Sequence, residues 1–299
     1  IISDTFDGNT PVQLLVRATD SLGNKAEITR NIFIRQDRNA IVQHSALTLP
    51  DLTTQAVLET IDTSVVSVVI PALNGGDEIA VLLSSLKSQE GCEKVEMIVV
   101  DSGSQDNTVS TAKAYGAKVI QIPHESFSHS GARNLGADAA SGDYLLFMTQ
   151  DALPGSSRWL YELVSALKNS EAVAVTCAES PREDVDLFFR FVSWSHNRYL
   201  ELAGQDKLLS WPEKEDHLSI RKSCQLNNVA SLYVKDVFDN YRFQRDYAED
   251  LDIGIRLARD GHKLAMLSSA RVIHSHNRTA YYHLRKIGRA SCRERVSSP

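Results

Sequence analysis

Cysteine is scarce in this sequence, and its spacing excludes two common structural devices. Only four cysteines occur in 299 residues, at positions 92, 177, 224 and 292, and no two of them form a Cys-x-x-Cys pair. The spacing therefore excludes a zinc knuckle and a dense disulfide framework. We expect reduced and mostly buried thiols instead.

Long apolar runs and a strong excess of positive charge are also missing. No run approaches the roughly 18 residues of a membrane-spanning helix, and the amino terminus lacks the pattern of a signal peptide. The net charge is -6 and the pI is about 5.9. A nucleic-acid binder normally carries a dominant basic face, so we expect no nucleic-acid partner.

Two glycine-rich phosphate-binding motifs are absent as well. No G-x-G-x-x-G follows the first strand of the central region, and no G-x-x-x-x-G-K-[ST] occurs. Their absence argues against a dinucleotide-binding domain and against a P-loop NTPase. The remaining composition, 42% hydrophobic and 23% charged, is typical of a globular protein. The length predicts about two domains.

The two ends of the chain differ from its middle. Residues 1–36 alternate apolar and polar positions around a Gly/Asn turn, which predicts a hairpin from a truncated β-rich, sandwich-like domain. Residues 37–63 are predicted to be a linker. Residues 286–299 are basic, lack an apolar period and resemble the translated read-through of a sequencing adapter. We expect them to be a non-native tail.

The central region alternates strands with helices. Short apolar runs predict buried strands, and apolar residues three and four apart predict helices between them. This order implies a largely parallel sheet with helices on both faces. Ligands of such sheets bind beyond the carboxyl ends of the strands. The predicted strands are 65–70, 95–100, 118–122, 144–148 and 172–176, and the predicted helices are 77–89, 106–115, 130–140 and 157–167.

Polar residues follow three of the predicted strands. Asn74 follows the first strand, Asp101 and Ser102 follow the second, and Gln150 and Asp151 follow the fourth. Each aspartate taken singly is better interpreted as a turn or helix-capping residue. Several of them at successive strand ends favour a shared ligand crevice.

Two further segments carry candidate ligand groups. His129 and Arg133 lie four residues apart at a helix start, which is a natural place for a diphosphate. The alternative is a surface helix with a solvated arginine. His274 and His276 share one side of a strand-like segment, a spacing that suits a metal. An isolated histidine pair is nevertheless more often structural.

A pair of carboxylates opens a third helix. Glu249 and Asp250 begin an amphipathic segment that Gly261 ends. The alternative interpretation is that acids in a first turn complement the helix dipole.

Five motifs, in this order, resemble glycosyltransferase family 2, whose nucleotide-diphospho-sugar transferase fold is called GT-A. They are VVIPALN, VVDSGSQDNT, FSHSGARNLGADAASGDYLLFMTQDALP, YAEDLDIGIRL and VIHSHN. The wording of the third is most similar to bacterial rhamnosyltransferases. The resemblance covers about residues 64–285 and implies an α/β fold of the GT-A type.

The resemblance implies an inverting glycosyltransferase of polysaccharide or cell-envelope biosynthesis. It would move a sugar from a dTDP- or UDP-sugar donor to a glycan or lipid-linked acceptor. The similarity of the third motif to rhamnosyltransferases indicates rhamnose as that sugar. Asp250 would be the base, with Glu249 as the second candidate. Asp151 with His274 or His276 would hold a divalent metal, Mg or Mn, although Thr149 replaces the first acid of the family's D-x-D motif. The donor-binding residues would be Pro71, Asn74, Asp101, Ser102, His129, Arg133, Asn134 and Gln150.

The family also implies a cytoplasmic location, peripheral at the inner face of the plasma membrane. Two other classes stay open from the sequence. A sugar nucleotidyltransferase would want a glycine-rich loop and a lysine after the first strand, and residues 72–76 offer neither. A non-catalytic protein that binds a nucleotide sugar or carbohydrate is compatible with the incomplete D-x-D motif.

Overall fold

The computed structural model describes residues 11–19, 25–33, 62–185, 187–201 and 205–275. The chain divides into two units, residues 1–52 and 53–299. In the first, strands β1 (Pro11–Thr19) and β2 (Lys25–Phe33) pair antiparallel, as the alternating pattern predicts. The assignment of residues 1–36 to a truncated domain and of 37–63 to a linker stays a prediction. The expected tail at 286–299 lies outside the described residues.

The second unit contains a sheet of nine strands in the described residues. The strands are β3 (Asp62–Ala72), β4 (Cys92–Asp101), β5 (Lys118–Gln121), β6 (Tyr144–Met148), β7 (Leu153–Pro154), β8 (Ala172–Ser180), β9 (Lys207–Leu209), β10 (Ala230–Val234) and β11 (Lys263–Ile273). Their order in the sheet is β5-β4-β3-β6-β10-β8-β11-β7, with β9 also paired to β11. Strands β3, β4, β5 and β6 are parallel, and β11 is parallel to β8. Strand β10 runs antiparallel to both neighbours, β6 and β8.

Helices cover both faces of this sheet, which confirms the predicted α/β class. Because side chains alternate along a strand, Val68 and Ile70 of β3 join one buried cluster, whereas Val69 joins another. The helices are α1 (Gly76–Lys87), α2 (Thr108–Ala114), α3 (His129–Asp138), α4 (Trp159–Asn169), α5 (Leu187–Tyr199), α6 (His217–Cys224), α7 (Lys235–Tyr241) and α8 (Glu249–Arg259). The first cluster includes residues of α1 and α4, and the second includes residues of α3, α7 and α8.

Strand β3 extends beyond Pro71, where the sequence predicts its end. The last residue of β3 that pairs with β6 is Val69, whereas pairing with β4 continues to Ala72. Pro71 therefore lies where the strand has a partner on one side only, and its missing N–H removes no ladder bond to β6. The extension carries the following loop to the edge where β4 and β6 also end.

None of the helices in the described ranges is long and apolar enough to cross a membrane.

Candidate active site

The loops after β3, β4 and β6 are held together by side-chain amides. Asn74 has the left-handed φ of 48°, which asparagine tolerates better than most residues. Its N–H donates to Ser104 Oγ at 2.8 Å, and its Oδ1 accepts from the N–H of Gln105 at 2.8 Å. The Gln150 amide accepts from the N–H of Leu73 at 2.9 Å and donates to the same residue's carbonyl at 3.3 Å. The structure thus brings Asn74 and Gln150 to one edge of the sheet.

Asp101 and Ser102 are buried beneath this edge. The Asp101 carboxylate accepts from the backbone N–H groups of Gly103 and Ser104, each at 3.2 Å from Oδ2. The Ser102 hydroxyl donates to the carbonyl of Ala72 at 3.1 Å. These contacts are those of a turn aspartate and a structural serine. A role for Asp101, Ser102 and Pro71 in binding the nucleotide stays a prediction.

Asp151, Glu179 and His274 lie together where β6, β8 and β11 end, and we call them the acid–histidine cluster. His274 Nδ1 lies 2.8 Å from Glu179 Oε2, and Nε2 lies 3.5 Å from Asp151 Oδ1. The Asp151 and His274 side chains are only 12% and 9% exposed. Burial alone lowers the pKa of His274, but the hydrogen bonds and charges of Asp151 and Glu179 outweigh it and raise that pKa to about 9.

The chemistry of the acid–histidine cluster fits a divalent cation. A carboxylate oxygen and an imidazole nitrogen face each other, and Glu179 fixes the ring through its other nitrogen, as carboxylates behind a metal-binding histidine commonly do. Within the described ranges, no group of three or more His, Cys, Asp or Glu side chains could hold a metal ion. Water and substrate phosphate would have to complete the coordination, as is usual for Mg²⁺. His276 lies outside the described residues.

Glu249, Asp250, Arg133 and Asn228 form a second polar group, which we call the carboxylate-pair cluster. Glu249 and Asp250 are the first residues of α8, directly after Ala248, whose φ of 51° is left-handed. Glu249 Oε1 accepts from Arg133 Nη1 and from Asn228 Nδ2, both at 3.1 Å. Burial, followed by the charge of Glu249, raises the pKa of Asp250 to about 6.

Arg133 is neither solvated nor exposed at the helix start. Its side chain is 5% exposed, and desolvation by burial lowers its pKa. Nη1 donates to Glu249 and also to the carbonyl of His129 at 3.3 Å. His129 itself is exposed, with its ring edge-on to Phe127 at 5.1 Å between centroids. Binding of a diphosphate by His129 and Arg133 stays a prediction, and the partner that the structure assigns to Arg133 is a carboxylate.

Helix α3 also anchors the segment that leads into α8. The Asn134 amide donates to the carbonyl of Phe243 at 2.8 Å and accepts from its N–H at 3.2 Å. The Ser130 hydroxyl donates to the carbonyl of Arg245. Asn134 and Ser130 thus contact the approach to the carboxylate pair at two residues, and Arg133 contacts Glu249 of the pair itself.

Sequence reasoning missed Glu179, Asn227 and Asn228. It examined the carboxyl ends of strands, but β10 is antiparallel to its neighbours, so its beginning lies at the edge where β6 and β8 end. Asn227 and Asn228 lie in the turn before β10, separated from the strand by Val229. The sequence signal was two consecutive asparagines before an apolar run, and it becomes informative only when the direction of that strand is known. Glu179 lies beyond the predicted end of its strand.

The mostly parallel sheet with acids at its strand ends is the fold of the nucleotide-diphospho-sugar transferases, the GT-A class. The chain belongs to glycosyl transferase family 2, whose model matches residues 67–222. This confirms the family and the fold predicted from the motifs. The match ends before Asn227, the carboxylate pair and His274. It includes Asp151 and Glu179 of the acid–histidine cluster but only Arg133 of the carboxylate-pair cluster, so the roles of the other residues are argued from geometry.

Two curated relatives are O-antigen chain rhamnosyltransferases from Salmonella. WbaN of Salmonella anatum is 29% identical over 188 residues, which are 62% of this chain and 58% of the relative. RfbN of Salmonella typhimurium is 28% identical over 219 residues, 72% of this chain and 67% of the relative. The chain therefore spans about three fifths to two thirds of the length of these relatives.

Solved structures share the fold at lower identity. A mannosyltransferase from Pyrobaculum calidifontis, in complex with GDP-Man and Mn²⁺, superimposes with a TM-score of 0.57 at 17% identity, covering 76% of this chain and 61% of the other. TarS of S. aureus in complex with UDP-GlcNAc gives a TM-score of 0.53 at 17% identity, covering 71% and 59%. These likenesses support the fold.

Proposed function

We propose that this chain is the transferase part of an inverting glycosyltransferase with Asp250 as its base. The observation that carries the proposal is the desolvated Asp250 carboxylate beside Glu249. The turn before β10 contacts both Glu249, through Asn228, and the acid–histidine cluster, through Asn227. A base whose pKa lies near the working pH is the most effective kind. Inversion needs one such base and no carboxylate nucleophile.

The proposed reaction is a single displacement. Asp250 accepts the proton of an acceptor hydroxyl, and that oxygen forms a bond to the anomeric carbon of the donor sugar. The bond from this carbon to the diphosphate oxygen breaks, and its electron pair leaves with the nucleoside diphosphate. A divalent ion held by Asp151 and His274 would stabilise the negative charge of this leaving group.

The donor and acceptor are proposed by analogy with the relatives. Both Salmonella relatives are named rhamnosyltransferases of the O-antigen chain. We therefore propose that the donor is a dTDP- or UDP-linked sugar, with rhamnose as the leading candidate, and that the acceptor is a glycan or a lipid-linked glycan. A cytoplasmic location, peripheral at the inner face of the plasma membrane, goes with such an acceptor. Incubation with dTDP-rhamnose and UDP-sugars tests the proposal through sugar transfer, or through slower hydrolysis when water replaces the acceptor. Binding of a donor without release of nucleoside diphosphate would instead favour the non-catalytic alternative.

Turnover should rise with pH through an apparent pKa near 6. Asp250 must be deprotonated to act as base, and its pKa is about 6 instead of the ordinary 3.8. The charged groups that influence Asp250 are Glu249 and Arg133, and its carboxylate also accepts from the backbone N–H groups of Leu251 and Asn228. Initial rates between pH 4.5 and 8.5 measure the midpoint.

Glu249→Gln removes the neighbouring negative charge and should move this midpoint to lower pH. A wild-type profile with no inflection between pH 5 and 7, or a midpoint that Glu249→Gln leaves in place, would show that another group controls the rate.

Asp151→Asn should abolish metal-dependent stabilisation. The substitution keeps the shape of the side chain but removes the charge beside His274 Nε2. We expect Mn²⁺ with UDP or dTDP to raise the Tm of the wild type, by an amount that grows with the logarithm of ligand concentration, and to leave the variant almost unchanged. Thermal melting with and without Mn²⁺ measures the effect.

Asp236→Asn is the matched control, because Asp236 is exposed on α7, which begins where β10 ends. Equal stabilisation of Asp151→Asn and Asp236→Asn by Mn²⁺ would remove Asp151 from the metal site.

A further inference from the structure

Two consecutive asparagines lie between the acid–histidine cluster and the carboxylate-pair cluster. Asn227 and Asn228 precede β10, which lies between β6 and β8 in the sheet. Residues 227–230 form a turn, in which the N–H of Ala230 donates to the carbonyl of Asn227 at 3.0 Å, and the two asparagine side chains contact different clusters. A single peptide bond therefore connects the two polar groups that the proposed reaction uses.

Asn227 contacts the acid–histidine cluster through Glu179. Its Nδ2 donates to Glu179 Oε1, while the other carboxylate oxygen, Oε2, lies 2.8 Å from His274 Nδ1. The asparagine is itself held in place, since its Oδ1 accepts from the N–H of Val229 at 3.1 Å and its carbonyl accepts from the Ser231 hydroxyl at 2.6 Å. The orientation of the His274 ring thus depends on a carboxylate that Asn227 fixes.

Asn228 contacts the carboxylate-pair cluster by both its side chain and its backbone. Nδ2 donates to Glu249 Oε1 at 3.1 Å, and its backbone N–H donates to the Asp250 carboxylate. The residue is 3% exposed, and in the described part of the chain its Oδ1 has no hydrogen-bond partner. A buried acceptor without a partner destabilises a fold. The amide is therefore better explained by its contact with Glu249 than by a contribution to stability.

We propose that Asn227 and Asn228 are positioning residues that fix the acid–histidine cluster and the carboxylate pair relative to each other. Asn227 acts through Glu179 on His274, and Asn228 acts through Glu249 on Asp250. The inference rests on the proposed function, because the two clusters need a fixed separation only if one binds the donor diphosphate and the other activates the acceptor. A displacement of 1 Å in such an arrangement can cost about 100-fold in rate.

Adjacent alanine variants should show different defects. With UDP or dTDP present, Asn227→Ala should raise the Mn²⁺ concentration that gives half-maximal thermal stabilisation by about 10-fold. This is the lower end of the usual effect of losing a residue that supports a metal ligand. Asn228→Ala should leave this titration unchanged and lower kcat by about 10-fold with the donor KM within about twofold, since only the base is displaced. Thermal melting and initial rates with dTDP-rhamnose or the best donor measure the two properties.

Two further variants test whether a general effect of substitution or a loss of folding explains the defects. Asn240→Ala removes an exposed asparagine on α7 whose amide donates to the carbonyl of Asp236 at 2.9 Å, and it should change neither property. Asn228→Leu keeps a similar volume but removes the donor to Glu249 without adding a charge beside the carboxylate pair. It should reproduce the kcat defect if the alanine variant does not fold.

The outcomes separate this inference from the proposed function. Equal loss of both properties in Asn227→Ala and Asn228→Ala, in proportion to a fall in Tm, would assign both residues to the fold and overturn the inference. So would unchanged behaviour of both variants. A wild type that binds Mn²⁺ and nucleotide but turns over no donor would refute the proposed function, whereas the Mn²⁺ titration of Asn227→Ala would still test the contact with Glu179.

Discussion

Asp250→Asn is expected to reduce turnover by about 10²- to 10⁴-fold, the usual contribution of a general base. Asparagine has nearly the same shape and can still accept from the N–H of Leu251, which lies 2.8 Å from Asp250 Oδ1. It cannot take up a proton. The residues proposed to bind the nucleotide, Asn74, Asp101 and Gln150, lie at the ends of β3, β4 and β6, whereas Asp250 lies on α8. We therefore expect the variant to bind UDP or dTDP as the wild type does. Steady-state rates and nucleotide titration measure the two quantities.

The stability of the same variant supplies an independent check. An acid whose pKa is raised in the folded protein binds its proton more tightly when folded, so its ionisation destabilises the fold above the folded pKa. Asp250 has such a pKa, about 6. Asp250→Asn should therefore raise Tm at pH 8 and have little effect at pH 4. Lower rates in this variant cannot then be attributed to unfolding.

Glu249→Gln distinguishes the two candidate bases. Glu249 Oε1 already accepts from Arg133 and Asn228, so we expect its substitution to reduce turnover less than Asp250→Asn does. The opposite order of the two effects would make Glu249 the base. Unchanged turnover in Asp250→Asn would refute the proposed mechanism.

Arg133→Met is expected to lower the free energy of unfolding by about 3–5 kcal/mol. The substitution removes the cation from a buried ion pair and leaves the Glu249 charge without it, which is the costly way to break such a pair. Methionine fills much of the same volume. Combining it with Glu249→Gln should recover most of the lost stability, because the isolated charge is then gone. Urea unfolding at pH 7.5 measures the free energy of unfolding of Arg133→Met, Glu249→Gln and the double variant.

Arg245→Met is the matched control. Arg245 also pairs with an acid of α8, Asp252, at 2.8 Å, but its side chain is 73% exposed. An exposed pair contributes about 1 kcal/mol or less. Similar losses in Arg133→Met and Arg245→Met, or a double variant no more stable than Arg133→Met alone, would contradict the account of the buried pair.

Much of the sheet could be predicted because its strands are buried on both faces. Strand β6 has the predicted bounds, Tyr144–Met148, since a five-residue apolar run between an aspartate and a threonine leaves little alternative. Strand β10 was not predicted. Its apolar run is equally short, but its place between β6 and β8 and its reversed direction follow from the packing of distant segments, which no local pattern records.

The candidate site shows the same division between local and distant information. The position of Glu249 and Asp250 in a first helical turn followed from the amphipathic pattern after them. The partner that holds Glu249 is Arg133, which is 116 residues away in sequence. Burial, followed by the charge of Glu249, raises the pKa of Asp250, and neither effect can be seen in the local pattern. The spacing of His129 and Arg133 correctly placed both residues at a helix start. It could not show that the arginine turns inward, because its partner is on another helix.

The segment before α8 is fixed through its backbone, whereas its side chains are exposed. Asn134 bonds to the backbone of Phe243, and the carbonyl of Arg245 accepts from Ser130. Arg256 donates to the carbonyls of Tyr241 and Arg242, each at 2.7 Å. The side chains of residues 244–247 are exposed, and Tyr247 is 71% exposed. Their side chains can therefore be exchanged, by natural drift or in a designed library, with little penalty to folding and without moving the helix that follows.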